Sequence, residues 1–128
     1  MDVSSIPSRG NLLVGFWGNQ SSFSANHQYY IGHTTIPAFG NRVQIFTDDA
    51  GGNLDLGLGS AHYRHTNIRA LTAGQWHHIV LTWDGTNYNV YVDGINRANG
   101  TYTGLSSFQS VADIANDGNT SGARNEAL

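Results

Sequence analysis

The sequence predicts an all-β fold, a two-sheet antiparallel β-sandwich, in a single domain over residues 1–128. Helix-forming residues are scarce, because lysine is absent and Glu126 is the only Glu. Sixteen Gly, with frequent Asn, Ser and Thr, suit many tight turns. Between these turn residues, short apolar segments follow one another along the chain. A chain of this length buries about two thirds of its unfolded surface, so it needs no disulfide merely to fold.

The first half of the chain predicts four strands. Residues 11–17 and 28–33 are separated by an Asn- and Ser-rich linker. Residues 42–47 predict the next strand, which ends at the Asp-Asp-Ala-Gly-Gly turn of 48–52. Residues 54–58 alternate Leu with Asp and Gly, which predicts a hairpin with 42–47.

The second half begins with a polar and aromatic segment at 60–67, followed by a short edge strand predicted at 68–71. Residues 76–83 are apolar on both faces, which predicts a strand inside a sheet and core positions for both of its tryptophans. The Asp-Gly-Thr-Asn turn at 84–87 leads into a strand at 88–92, which a second Asp-Gly ends. A weaker strand is predicted at 112–115.

The segment with these two turns also carries a family signature. W-H-x-I-x-x-T-W-D-G at 76–85, followed by Y-V-D-G at 91–94, resembles the laminin-G-like branch of the concanavalin A-like lectin/glucanase superfamily. The resemblance is strongest over 73–94 and extends more weakly from about residue 12 to residue 118. It implies a two-sheet antiparallel jelly roll that binds rather than catalyses.

Two segments of that family have no counterpart here, an aspartate-rich stretch near the start and a closing strand near the end. A jelly roll without its closing strands presents unpaired edges, which invites pairing with another chain. We therefore expect an oligomer or a part of a larger assembly. The alternative is that the terminal segments complete the sheets internally.

Charge and hydropathy exclude some partners. The formal net charge is −3 and the six Arg are scattered, so there is no basic stripe for nucleic acid. No apolar run approaches the roughly 20 residues that span a bilayer, and residues 1–5 do not resemble a signal peptide. Cysteine is absent, which excludes disulfides and thiolate sites and leaves the redox compartment open.

Catalytic motifs are missing as well. Glucanases of this superfamily use a Glu-x-Asp-x-Glu strand, whose period sends the carboxylates into one cleft, and the sequence has no such motif. No segment resembles a nucleophile elbow. We therefore expect a protein that is not an enzyme, with a remnant of a polysaccharide-active enzyme as an alternative.

Histidines and oxygen-rich loops are the candidate metal ligands. His62 and His65 would point to opposite faces of a strand, as would His77 and His78, so neither pair readily chelates zinc. The resemblance implies Ca²⁺ as a possible cofactor at the sandwich rim, where oxygen ligands suit a hard cation. The candidate calcium ligands are Asp48, Asp49, Asn116, Asp117 and Asn119. The alternative role for these residues is turn formation, which we favour.

A glycan or glycoprotein is the expected partner. An aromatic ring stacks on the apolar face of a sugar while polar side chains meet its hydroxyls. The candidate ligand-binding residues are Trp17, Tyr29, Tyr30, His62, Tyr63, Arg64 and His65. One ring of the Tyr29-Tyr30 pair must face the core. The leading hypothesis is a non-catalytic carbohydrate-binding or adhesion module of an extracellular or virion-surface protein, and the alternative is a structural module without a small ligand.

Overall fold

The computed structural model describes residues 12–35, 40–59, 61–105 and 113–114. The strands in these ranges are β1 (Leu12–Asn19), β2 (Gln28–Thr35), β3 (Gly40–Thr47), β4 (Leu54–Leu58), β5 (Ala61–Ile68), β6 (Trp76–Trp83), β7 (Asn87–Val92), β8 (Ile95–Thr101) and β9 (Asp113–Ile114). A four-stranded sheet has the order β1-β6-β7-β8, and a five-stranded sheet has the order β5-β4-β3-β2-β9. All strand pairs in both sheets are antiparallel, which confirms the predicted fold class.

A single hydrophobic core holds the two sheets together. The four-stranded sheet contributes Leu12, Val14, Ile79, Leu81, Trp83, Val90 and Val92, and the five-stranded sheet contributes Tyr30, Ile31, Val43, Ile45, Leu54, Leu56, Leu58 and Ile68. The predicted hairpin of β3 and β4 is confirmed, and every residue of β4 is buried. The Leu side chains of β4 therefore belong to the core, where burial of each stabilises the fold by about 1.5–3 kcal/mol.

Strand β6 lies between β1 and β7, as predicted, but its two faces differ. His77, Ile79, Leu81 and Trp83 are buried, while the alternate residues are half-buried or exposed. The prediction that Trp76 packs in the core is wrong. Trp76 and Trp83 differ by seven positions, an odd number, so they point to opposite faces. Only one face of a sheet meets the core of a two-sheet sandwich.

Strand β8 is a strand that the sequence analysis missed. Asp93 and Gly94 have φ values of 53° and 81°, and this pair of left-handed residues is typical of a type I′ hairpin turn. The turn sends β8 back along β7. Because β8 is mostly exposed and polar, its sequence lacks the alternation that predicts a strand.

The edge strand predicted at 68–71 is also wrong. The strand in this region is β5, which ends at Ile68. The β4–β5 register pairs Leu54 with Ile68 and Leu56 with Arg64. A step of two positions along β4 therefore lies opposite a step of four positions along β5. Such an irregularity breaks the period-two pattern from which strands are predicted.

In the described part of the chain, no helix could cross a membrane.

Candidate functional site

Two tryptophans are exposed on the outer face of the four-stranded sheet, which is turned away from the core. Trp17 on β1 is 63% exposed, and Trp76 at the start of β6 is 65% exposed. The register pairs Trp17 with His78 and Asn19 with Trp76, so the two indoles are diagonal neighbours. The rings of Trp17 and His78 lie 5.0 Å apart between centroids, with 32° between their planes. We name Trp17, Trp76 and His78 the aromatic platform.

Strand alternation in β1 places Trp17 on this face. Val14 is buried in the core, while Leu13 and Trp17 are exposed on the other side. Gly18 is on the core side, directly under a ring of the other sheet. A Cβ at Gly18 would lie 2.8 Å from Cε1 of Tyr30. The missing side chain therefore lets Tyr30 pack against β1 and fixes the strand that carries Trp17.

Gly15 opens a notch in the outer face beside Trp17. It lies opposite Val80, and it is two residues from Trp17 along β1. A Cβ at Gly15 would lie 3.4 Å from Val80 Cγ2 and 3.9 Å from His78 Nε2. The notch is therefore lined by a Val80 methyl group and by the His78 ring.

The loop that precedes Trp76 is fixed to the end of β1. The Gly74 N–H donates to the Gln20 carbonyl oxygen at 2.8 Å, and Asn19 Nδ2 donates to the Gly74 carbonyl oxygen at 3.4 Å. The φ of Gly74 is 77°, a left-handed conformation that favours glycine. These contacts hold the backbone that precedes Trp76 next to β1.

His77 supports the same loop from the core side of β6. Thr72 N–H donates to His77 Nε2 at 2.9 Å, so the ring proton is on Nδ1, which donates to Asp93 Oδ2 at 2.7 Å. Asp93 Oδ1 accepts the His78 N–H at 2.9 Å. The predicted opposite orientation of His77 and His78 is confirmed. Since both of its ring nitrogens are bonded, His77 is committed to structure rather than to metal binding or general-base catalysis.

Polar side chains continue the outer face on β7 and β8. The register pairs Tyr91 with Asn96 and Asn89 with Asn99. Asn96 Nδ2 donates to Asn89 Oδ1 at 3.0 Å, which orients both amides. The half-buried Tyr91 also lies opposite Val80 of β6. The outer face thus changes from aromatic at β1 and β6 to amide-rich at β7 and β8.

Two carboxylates lie at opposite ends of this face, in the turns that follow β6 and β7. Hydrogen bonds from His77 and from the backbone N–H of His78 lower the pKa of Asp93. The pKa of Asp84 is lowered by the backbone N–H and side-chain amide of Asn87 and by the Thr86 N–H. Both groups are therefore ionised at neutral pH and are bonded within their own turns, which does not suit a general acid.

The predicted ligand-binding residues are divided between the two sheets. Trp17 belongs to the platform, whereas Tyr29 and Tyr30 lie on β2. Tyr30 is the ring that faces the core, with 4% exposure, while Tyr29 is half-buried with its ring centroid 5.0 Å from that of Phe46. His62, Tyr63, Arg64 and His65 lie on β5, and their side chains are outside the described part of the structure. Trp17 and the two tyrosines therefore lie on different sheets.

Trp76 and His78 were not among the candidate ligand-binding residues predicted from the sequence. Strand alternation was the available signal, because it places Trp76 and Trp83 on opposite faces and both could be buried only if both faces were covered. The pairing of His78 with Trp17 required the register of two strands that are distant in the sequence.

The described half of the predicted calcium site forms a structural turn. Asp49 Oδ1 accepts the backbone N–H groups of Gly51 and Asn53, and Asp49 Oδ2 lies 2.6 Å from Arg69 Nη2. The Arg69 guanidinium and these N–H groups lower the pKa of Asp49. Asp48 Oδ1 accepts a hydrogen bond from Asn53 Nδ2 at 3.1 Å. These carboxylates are bonded within a turn, which agrees with the alternative role of turn formation.

The other predicted calcium ligands, Asn116, Asp117 and Asn119, lie outside the described residues. Within the described ranges, no group of three or more His, Cys, Asp or Glu side chains could hold a metal ion. Calcium binding stays a prediction.

Comparison with known protein families places the chain in a family. A laminin-G family model, described as concanavalin A-like lectin/glucanases superfamily, matches residues 3–126. The match covers nearly the whole chain and extends beyond the segment in which the resemblance was noted. No curated protein matches the chain at a significant level.

Proposed function

Because the chain belongs to the concanavalin A-like lectin/glucanases superfamily, we propose that it is a non-catalytic carbohydrate-binding or adhesion module whose glycan lies on the aromatic platform. One observation carries the proposal. Two tryptophans on adjacent strands, Trp17 and Trp76, are both more than half exposed on a sheet face, and an imidazole stacks on the first. Exposed aromatic groups of this kind mark interaction sites more often than scattered apolar side chains do.

The chemistry of the face suits a sugar. Indole rings offer flat apolar surfaces to the C–H face of a pyranose, and the neighbouring Asn side chains can bond its hydroxyls. The face is open and shallow, so we expect weak binding, with a dissociation constant on the order of 0.1 to 1 mM for a short oligosaccharide. Several modules or several sugar repeats would raise this affinity through avidity.

Three carboxylates of the described residues support a role without catalysis. Asp49, Asp84 and Asp93 are each held by turn N–H groups or by a neighbouring side chain. Hydrolysis of a glycosidic bond needs one protonated and one ionised carboxyl group on either side of the substrate. A glycan-binding role also agrees with an extracellular or particle-surface location, which is part of the proposal.

Calorimetric titration with a panel of defined glycans, with and without calcium, tests this proposal. We expect heat of binding with at least one glycan. Trp17→Ala and Trp76→Ala should each weaken binding about tenfold, equivalent to roughly 1.4 kcal/mol. Ile95→Ala is the matched control, because it removes another exposed apolar side chain from the same sheet. Unchanged affinity in both tryptophan variants would contradict the proposal.

A second candidate function is assembly without a small ligand. Leu13, on the edge strand of the described four-stranded sheet, is 71% exposed beside the platform. An edge strand with exposed apolar side chains can pair with a second chain. Light scattering over a range of concentrations distinguishes the two functions. Assembly through this edge predicts a dimer or larger species that Leu13→Asp disrupts, whereas glycan binding alone predicts the same mass in both proteins.

A further inference from the structure

We propose that the ligand of the platform is a neutral glycan, with hydroxyl groups but no sulfate or carboxylate, that lies across β1, β6 and β7 and reaches the amides of β7 and β8. This inference rests on the proposed function, and it specifies the chemical class of the ligand. Three observations carry it, namely the charges on the outer face, the carboxylates at its ends and the hydrogen-bonding groups of one amide pair.

The outer face of the sheet carries no Arg, Asp or Glu on the strands β1, β6 and β7. Alternation and register place Leu13, Gly15, Trp17, Asn19, Trp76, His78, Val80, Thr82, Asn87, Asn89 and Tyr91 on this side. Arg97 is in the neighbouring strand β8, at a register shift of its pairing with β7. Sulfates and carboxylates are usually recognised by Arg or Lys. The described face offers neither group on the three strands nearest to the indoles.

The ends of the face repel an anion. Asp84 follows β6 and Asp93 follows β7, and because these strands are antiparallel the two carboxylates lie at opposite ends. Both are ionised at neutral pH, since turn hydrogen bonds stabilise their charged forms. A polyanion that crosses the strands near either turn would meet one of these carboxylates, and Arg97 of β8, whose charge acts on Asp93, is a nearby cation.

The pair Asn89 and Asn96 matches a hydroxyl group. Asn96 Nδ2 donates to Asn89 Oδ1 at 3.0 Å, and this bond leaves Asn89 Nδ2 as a donor and Asn96 Oδ1 as an acceptor. A sugar hydroxyl both donates and accepts, so it can bond both atoms. A sulfate or carboxylate only accepts, so Asn96 Oδ1 would lose its hydration without gaining a partner. The hydrogen-bonding groups of this amide pair therefore favour a neutral glycan over an anionic one, as the charges of the face do.

The test compares matched polymers that differ in charge. Wild-type protein is titrated at pH 8, above the range in which histidine ordinarily titrates. The probes are hydroxyethyl cellulose with carboxymethyl cellulose, laminarin with sulfated laminarin, and agarose oligosaccharides with carrageenan oligosaccharides. We expect binding to at least one neutral member. Its affinity should change less than about twofold between low and high salt, because no ion pair is screened.

Two variants separate the causes. Asn96→Ala should weaken binding of the neutral glycan about fivefold, as expected for one lost hydrogen bond, and Arg97→Ala should leave it unchanged. Both proteins are checked by thermal unfolding, and Asn96→Gln is used if Asn96→Ala does not fold. Preference for an anionic polymer that disappears in Arg97→Ala or in high salt would overturn this inference and leave the proposed function intact. Absence of binding to every polymer would overturn both.

Discussion

His77 and Asp93 form a partly buried hydrogen bond that links the turn after β7 to the loop before the platform. The Nδ1–Oδ2 distance is 2.7 Å, and the other ring nitrogen accepts the Thr72 N–H at 2.9 Å. Only the neutral Nδ1–H tautomer satisfies both contacts. An Asp–His pair is often associated with catalysis, but here the nitrogen that would act as a base is already bonded to the backbone.

Replacement of His77 therefore tests a structural role. His77→Ala should lower the free energy of unfolding by about 2–3 kcal/mol, because it leaves the Thr72 N–H without an acceptor and removes one hydrogen bond from the Asp93 carboxylate. His78→Ala is the matched control, since the adjacent side chain lies on the outer face. It should change stability by no more than about 0.5 kcal/mol. Urea unfolding of both variants measures the difference, and equal losses would contradict the assigned role.

Acid should destabilise the protein through three turn carboxylates. Hydrogen bonds in the folded state lower the pKa of Asp49, Asp84 and Asp93 below the ordinary value. Their stabilising contribution is present above the unfolded pKa, near 4, and is lost as the pH falls through the lower folded values. Urea unfolding between pH 5 and pH 2 should show this decline, and the decline should be smaller in Asp93→Asn. A flat profile would contradict the prediction.

Alkaline pH should destabilise the protein through Tyr30. Burial raises the pKa of Tyr30 to about 12, so the unfolded chain loses this proton first. Stability that is complete below pH 10 should therefore decrease between pH 10 and 12, by up to about 3 kcal/mol. Tyr30→Phe should remove this part of the pH dependence. Tyrosinate absorbance should also show one late-titrating group in the wild type that is absent from Tyr30→Phe.

Two glycines of β1 should respond differently to alanine. A Cβ at Gly18 would lie 2.8 Å from Tyr30 Cε1, whereas a Cβ at Gly15 would lie no closer than 3.4 Å to any atom across the strands. Gly18→Ala should therefore destabilise the protein by about 1–3 kcal/mol, since the Tyr30 ring must move. Gly15→Ala should fold normally but fill the notch beside Trp17 and weaken glycan binding. Thermal unfolding and calorimetry of both variants check this contrast.

The sequence predicted the parts of the fold that depend on local pattern. The strand β6, the β3–β4 hairpin and the Asp-Gly turns are encoded in short segments, because apolar runs and residues with positive φ are visible there. Strand β8 was missed because it is an exposed edge strand with a polar sequence. Strand β5 was misplaced because its irregular pairing with β4 hides the alternation.

The candidate site was predicted only at Trp17. Its partners Trp76 and His78 belong to a strand far along the chain, and only the β1–β6 register brings them to Trp17. The assumption that large aromatic residues of a central strand are buried also concealed Trp76. Side chains alternate between the two faces of a strand, and Trp83 lies on the core side. This alternation was a sufficient reason to place Trp76 on the outer face.

The central claim is that a glycan binds to the outer face of the four-stranded sheet. The indole N–H resonances of the three tryptophans provide the most direct measurement, because Trp83 is an internal control. Trp83 is buried and its Nε1 donates to the Tyr102 carbonyl oxygen at 2.6 Å. When the protein is titrated with a neutral glycan that binds it, the Trp17 and Trp76 resonances should shift while the Trp83 resonance stays in place. Saturable binding that leaves the Trp17 and Trp76 resonances unmoved would contradict the account.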